Sequence, residues 1–119
     1  MTTMMVGIAP ETAIRSRILA IAKGDYLPAK NDPKVWFTSL NAVAQVLSPE
    51  NISLLRVIDE QHPQTIRELS TITRRKESNL SRTLKVMAGY GFVDLIRRDG
   101  NRVQPVAKAT EFTIQLRPI

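Results

Sequence analysis

The sequence predicts a mainly α-helical protein with a small antiparallel β-sheet. Apolar residues recur every three or four positions in five segments, as they do on the buried face of a helix. Two of these segments begin with strong N-terminal signals, Ser48-Pro49 and the capping box Thr65-Ile66-Arg67-Glu68. Asp99-Gly100 separates two runs of strand-forming residues, which predicts a β-hairpin.

The N-terminal part of the chain is predicted to form a helical arm. Its first helix covers residues 10–23, and residues 25–37, which contain two prolines, form a connector to a short helix over residues 40–47. The first helix has one apolar stripe, formed by Ile14, Ile18 and Ile21. This stripe and Trp36-Phe37 either complete the core of the same chain or pack on a second copy.

Three consecutive helices are predicted in the centre of the chain. The first extends from its N-cap, Ser48, to about residue 61, and Pro63 ends it. The second is short, over residues 66–72, and the capping box satisfies its first backbone N–H groups. The third covers residues 77–90. Its inward positions are apolar and follow helical spacing: Leu80, Leu84, Met87 and Ala88.

A hairpin and a final strand complete the predicted elements. The hairpin strands cover residues 92–97 and 102–106, joined by a type I′ turn at Asp99-Gly100. Pro105 cannot donate to a strand ladder, so its strand is expected at a sheet edge. Residues 112–116 alternate between apolar and polar side chains and predict a half-buried strand.

This order of elements is that of a winged helix-turn-helix, in which a hairpin, the wing, follows three helices. We therefore divide the chain into three segments. Residues 1–47 form a helical arm and connector that is a candidate dimerisation element. Residues 48–107 form the winged helix-turn-helix domain, and residues 108–119 form a C-terminal strand.

Most of the net charge is concentrated in one short segment. Seventeen Lys and Arg against 11 Asp and Glu give the 119 residues a formal net charge of +6. Residues 73–85 hold five basic side chains and one acidic side chain, so +4 of that charge lies there. A cluster of this kind is typical of a surface that contacts phosphate groups.

The outward positions of the third helix suit the reading of double-stranded DNA. Asn79 matches adenine, and Arg82 matches guanine, through paired hydrogen bonds in the major groove. The cations before this helix are predicted to contact phosphates. The arginines on either side of the hairpin turn are predicted to contact a minor groove. The complete predicted DNA-binding set is Arg74, Arg75, Lys76, Ser78, Asn79, Ser81, Arg82, Lys85, Arg97, Arg98 and Arg102.

Few residues of the chain suit catalysis or metal binding. It has no cysteine and one histidine, His62, which excludes thiol chemistry and multi-histidine metal sites within one chain. We expect no enzymatic activity, no metal and no cofactor. The longest apolar run, residues 18–22, is much shorter than the roughly 20 residues of a membrane span. The N-terminus lacks signal-peptide features, so we expect a cytoplasmic protein without membrane contact.

Two segments carry a family resemblance: W-F-T-S-L at residues 36–40 and S-N-L-S-R-T-L-K at residues 78–85. Together with shorter strings between residues 24 and 116, they resemble the small archaeal and bacterial winged-helix regulators of the MarR/ArsR-like class. The resemblance implies a DNA-binding transcriptional regulator that is usually dimeric, and some relatives look like antitoxins. Metal-sensing ArsR relatives use cysteine and histidine clusters, which this sequence lacks.

Three functions remain open from the sequence. The first is a sequence-specific transcriptional regulator, a repressor of its own operon that binds duplex DNA as a homodimer. The second is an antitoxin-type module that covers a toxin-like partner protein and binds DNA secondarily. The third, RNA binding, is disfavoured because no aromatic side chain lies on the basic helix before Tyr90.

Overall fold

Five helices and five strands succeed one another over residues 2–116, which the computed structural model describes. The helices are α1 (Glu11–Lys23), α2 (Leu40–Val46), α3 (Pro49–Gln61), α4 (Ile66–Thr73) and α5 (Glu77–Gly89). The strands are β1 (Thr3–Ile8), β2 (Val35–Phe37), β3 (Val93–Arg97), β4 (Val103–Ala107) and β5 (Glu111–Leu116). The fold is therefore of the mixed α/β class. Among these residues, every helix lacks the length and apolar character needed to cross a membrane.

A three-stranded parallel sheet joins the two ends of the chain. Strand β1 lies in its centre, between β2 and β5. Val6 pairs with Val35 on one side and with Ile114 on the other. The predicted mainly helical class with one antiparallel sheet is thus incomplete, because β1 and β2 were not predicted. Residue 1 of the predicted arm and residues 117–119 of the predicted C-terminal segment lie outside the described residues.

The pairing of β1 with β2 depends on a glycine. Gly7 faces Trp36 across the sheet, and a Cβ atom built on Gly7 would lie 2.6 Å from the indole ring. The ring therefore occupies the space above the β1 backbone that any larger residue would fill.

One hydrophobic core connects this sheet with the central helices. The apolar stripes of α3, α4 and α5 converge in it, and β1, β2 and α2 add side chains from the N-terminal segment. Members of the core with at most 3% exposure include Val6, Ile8, Phe37, Val43, Leu54, Leu55, Ile58, Leu69, Leu80, Leu84, Met87 and Phe92. Much of the N-terminal segment is thus packed on its own chain.

Helix α1 is the exception, because none of its residues is buried. Arg17 holds it to the following loop: its guanidinium lies 5.0 Å from the Tyr26 ring and 5.2 Å from the Trp36 ring, and pairs with Asp32 at 3.4 Å. The Tyr26 hydroxyl donates to the Asp32 carboxylate, and chiefly for this reason the pKa of Asp32 is lowered. The outer side of α1 remains exposed.

The antiparallel hairpin of β3 and β4 forms a sheet of its own. Its connection differs from the predicted two-residue turn: five residues, 98–102, link the strands, and Gly100 and Asn101 both have positive φ. The backbone pairs 92/108 and 98/102 are hydrogen-bonded. Because such pairs alternate, Pro105 opposite Leu95 falls at a position without ladder bonds, and its missing N–H costs nothing.

Candidate nucleic-acid interface

A rigid three-residue turn sets the angle between α4 and α5. Arg74 has φ of 61°, the left-handed region, and its N–H donates to the Ser70 carbonyl at 2.8 Å. The Ser70 hydroxyl donates to the Arg75 carbonyl at 2.6 Å, and the Thr73 hydroxyl accepts from the Arg75 N–H at 3.4 Å. Two side-chain hydroxyls of α4 therefore fix the backbone that leads into α5.

Helix α5 has one face in the core and the opposite face in solvent. Its inward residues, Leu80, Leu84 and Met87, have no exposed surface. Ser78, Arg82 and Lys85 are exposed at positions i, i+4 and i+7, which places them on one stripe. Asn79 is exposed beside this stripe. Ser81 is half-buried, because its position on the helix lies at the border with the core.

The N-terminus of α5 combines exposed backbone donors with cations. Lys76 is its N-cap residue but makes no side-chain capping hydrogen bond, so the first N–H groups of the helix remain available to an anion. Arg74 and Lys76 are exposed beside them. Arg75 differs: it is half-buried and lines a cleft that includes Glu50 and Ser53 of α3.

The cations on α5 and its turn are not neutralised by carboxylates within the described part of the chain. The ion pairs found there use other cations, namely Arg15, Arg17, Arg67 and Lys108. Arg74, Lys76, Arg82 and Lys85 take part in none of them. The concentration of charge predicted from the sequence is therefore also an exposed positive surface.

The three predicted arginines of the hairpin have different surroundings. Arg98 donates from Nε and Nη2 to Oε1 of Gln104, at 2.9 and 2.6 Å, across the hairpin. Arg97 is exposed and, by the alternation of the strand, points to the opposite face of the sheet. Arg102 is exposed and lines a cleft that Glu77, the first residue of α5, also lines. The structure thus brings Arg102 and the start of α5 together.

Sequence reasoning missed Arg67, on the first turn of α4. Its side chain is 87% exposed, its Nε lies 4.0 Å from Oε2 of Glu77, and it lines the same cleft as Arg102. The available signal was its position inside the capping box. Thr65 Oγ1 accepts there from the Glu68 N–H at 3.0 Å, which fixes Arg67 at the helix start.

Val86 was also missed. It is 48% exposed and follows Arg82 by one helical turn. It is the one large hydrophobic side chain of residues 49–107 with substantial exposure. Its position outside the core spacing of α5 was the available signal. The same region offers little to a metal: within residues 2–116, no three His, Asp or Glu side chains converge.

Comparison with known proteins places the chain in a family. A crystal structure described as a predicted DNA-binding transcriptional regulator from E. coli aligns with a TM-score of 0.47 and 21% identity, over 79% of this chain and 83% of that chain. No curated protein matches the sequence. The model of the HVO_A0114 family matches residues 46–114, from the end of α2 to β5 and more than half of the chain. The chain therefore belongs to the HVO_A0114 family.

Proposed function

We propose that the protein is a sequence-specific transcriptional regulator that binds double-stranded DNA through a winged helix-turn-helix. Helix α5 enters the major groove, and the β3–β4 loop acts as the wing. The observation that carries the proposal is the exposed stripe of Ser78, Arg82 and Lys85 on a helix whose opposite face is completely buried. Such a helix brings its polar side chains to the base edges in the major groove, while its apolar side chains stay in the protein core.

The side chains divide between reading and anchoring. Asn79 and Arg82 suit paired hydrogen bonds to adenine and guanine, and Val86 suits the methyl group of thymine. Arg74, Lys76 and Lys85 suit phosphates, together with the backbone donors at the start of α5. Each phosphate contact makes the slope of log K against log salt more negative by about 0.9.

The three arginines of the wing do not all have the same role. Arg97 and Arg102 suit the DNA backbone or a minor groove. Arg98 positions the loop instead, because its guanidinium is held by Gln104. Arg67 joins Arg102 as a second backbone contact across the shared cleft.

A binding experiment tests the proposal. Selection from random duplexes identifies a preferred site, and fluorescence anisotropy then compares it with a scrambled duplex at two salt concentrations. We expect Arg82→Ala with Lys85→Ala to lower affinity for the selected site about tenfold or more, since one base contact is worth about 1–3 kcal/mol. The control removes equal charge from the loop before β2, by Lys30→Ala with Lys34→Ala at two exposed positions, and changes affinity less than twofold. Equal binding by both double variants would contradict the proposal.

Pairing of two copies completes this function. Ile18, Leu19 and Leu27 are 59%, 57% and 85% exposed, which makes the outer side of α1 and its loop an apolar surface. Two α1 helices in antiparallel contact would cover it and place Glu11 near Lys23 of the other copy. Such a dimer reads two half-sites about one DNA turn apart, as expected of a repressor that controls its own operon.

The same apolar surface favours one alternative. In an antitoxin-type protein it would cover a toxin-like partner, and DNA binding would be secondary. Analytical ultracentrifugation of the protein alone separates the two functions: a dimer that Leu19→Glu dissociates supports the regulator. A monomer in both variants supports the protein-partner function.

A further inference from the structure

An apolar groove lies between the N-terminal segment and the central helices, away from the proposed DNA surface. It has a volume of about 590 Å³, within the usual range for small-molecule sites of about 300–1,000 Å³. Helix α2 contributes Leu40 and Leu47, α3 contributes Ile52, and β5 contributes Phe112 and Ile114. Leu40 and Ile114 are exposed there, so the groove is open to a ligand.

One polar group in the wall of this groove lacks a partner. Thr110 lines the groove and is 5% exposed, and its Oγ1 makes no hydrogen bond within the described part of the chain. The backbone holds the residue in place, because its N–H donates to the Thr2 carbonyl at 3.2 Å. A buried hydroxyl without a partner is unfavourable, and most native structures avoid it. A ligand group placed against Thr110 in the groove would give this hydroxyl the partner that it lacks.

The charge of the groove restricts the ligand further. Of the described residues that line the groove, Glu111 alone is charged, and Thr3 Oγ1 lies 3.4 Å from Oε2 of this carboxylate. Glu111 is exposed at the edge of the groove, and its negative charge disfavours an anionic ligand over a neutral one. The groove is therefore suited to a molecule without negative charge.

We infer that the groove is a binding site for a small neutral apolar molecule with one hydroxyl group, which hydrogen-bonds to Thr110. The ring or chain of the ligand packs between α2 and β5, and the hydroxyl pairs with Oγ1. This site does not depend on the proposed DNA binding, because it shares no residue with that surface. Its test measures ligand binding directly.

Three probes of similar size test the inference: p-cresol, p-xylene and 4-methylbenzoate, which end in a hydroxyl, a methyl and a carboxylate. Each is titrated into the full chain, and binding is followed by backbone amide NMR shifts. We expect p-cresol to bind about 2- to 10-fold more tightly than p-xylene, which is the range of one net hydrogen bond. The benzoate should bind most weakly, and the largest shifts should fall on residues of α2 and β5.

Variants of single residues test which groups cause the preference for p-cresol over p-xylene. Thr110→Val keeps the shape of the side chain and should make p-cresol and p-xylene equal, whereas Thr110→Ser keeps the hydroxyl and should retain the preference. Ala44→Phe, at an exposed position of α2 that lines the groove, should block all three probes. Ala22→Phe, on the exposed side of α1, is the matched control and should block none.

Several results would overturn the inference. They are the absence of any shift up to the solubility limit of the probes, an unchanged p-cresol preference in Thr110→Val, and shifts confined to α1 and its loop. Shifts in β5 that grow with protein concentration alone would indicate that a second copy occupies the groove instead.

Discussion

Replacing Arg74 by glycine separates the charge of this residue from its backbone conformation. At φ of 61°, a residue with a Cβ atom pays about 1–2 kcal/mol of strain that glycine avoids. Glycine loses about 0.5–1 kcal/mol through the entropy of the unfolded chain. The net change in the free energy of unfolding therefore lies between about zero and 1.5 kcal/mol of stabilisation. In a chain of this length, that corresponds to a rise in Tm of up to about 6 °C.

The same substitution should weaken DNA binding. Loss of one phosphate contact makes the slope of log K against log salt less negative by about 0.9, so the gain in affinity from 1 M to 0.1 M salt becomes about eightfold smaller. Thermal unfolding and anisotropy titrations measure the two effects separately. Arg74→Ala is the control: it loses the same charge but keeps the strain, so its Tm should not exceed that of the wild type. A lower Tm for Arg74→Gly, or an unchanged salt slope in both variants, would refute this reasoning.

Three further substitutions probe other parts of the molecule. Gly7→Ala should displace Trp36 and destabilise the fold by about 1–3 kcal/mol. Trp36 is the one tryptophan of the sequence, so a red shift of the fluorescence emission reports its displacement. Unchanged emission would contradict this prediction. Tyr26→Phe removes the donor that lowers the pKa of Asp32. Its stability deficit should be complete above about pH 4 and shrink as the pH falls through the lowered pKa, so a pH-independent urea midpoint difference would argue against this pair. Replacing thymine by uracil in the selected DNA should weaken wild-type binding but leave Val86→Ala unaffected, and equal losses in both would exclude a methyl contact.

The helices were predictable because their signals are local. The Ser48 and Thr65 hydroxyls accept hydrogen bonds from N–H groups three residues later, as their capping patterns predict. Helices α3, α4 and α5 therefore begin where the sequence analysis placed them, and each ends within one residue of the expected position. A cap and an apolar stripe are contained within about ten residues, so a single sequence is enough to reveal them.

The parallel sheet was not predictable in the same way. Strand β1 is stabilised by β5, which lies more than one hundred residues later in the chain, as in the pair of Thr3 with Glu111. Its pattern of exposed and buried residues contains Gly7, a residue that normally weakens a strand. The glycine is explained by Trp36, which covers it from the neighbouring strand. Such a pairing is a property of the folded chain, and no short window of the sequence contains it.

For the candidate interface, the sequence predicted where the positive charge is concentrated but not the surroundings of each cation. Arg82 and Lys85 are exposed as helical spacing predicts. Arg75 and Arg98 differ from their neighbours because tertiary contacts determine their surroundings: a cleft against α3 for one, and Gln104 for the other. Arg67 became a candidate once the hairpin loop was found beside the first turn of α4.

The turn before α5 explains why the interface can be rigid without contacts from DNA. The hydroxyls of Ser70 and Thr73 bond to the backbone of Arg75, so the middle of the turn is tied to α4. Leu69 of α4 and Leu80 of α5 are completely buried in one core, so α5 cannot rotate without opening that core. A surface that is ordered before binding loses less conformational entropy on binding, and its hydrogen bonds to bases contribute more of their energy to affinity. The strained backbone of Arg74 fits this arrangement, because it keeps a cation in a turn where glycine would be the more stable residue.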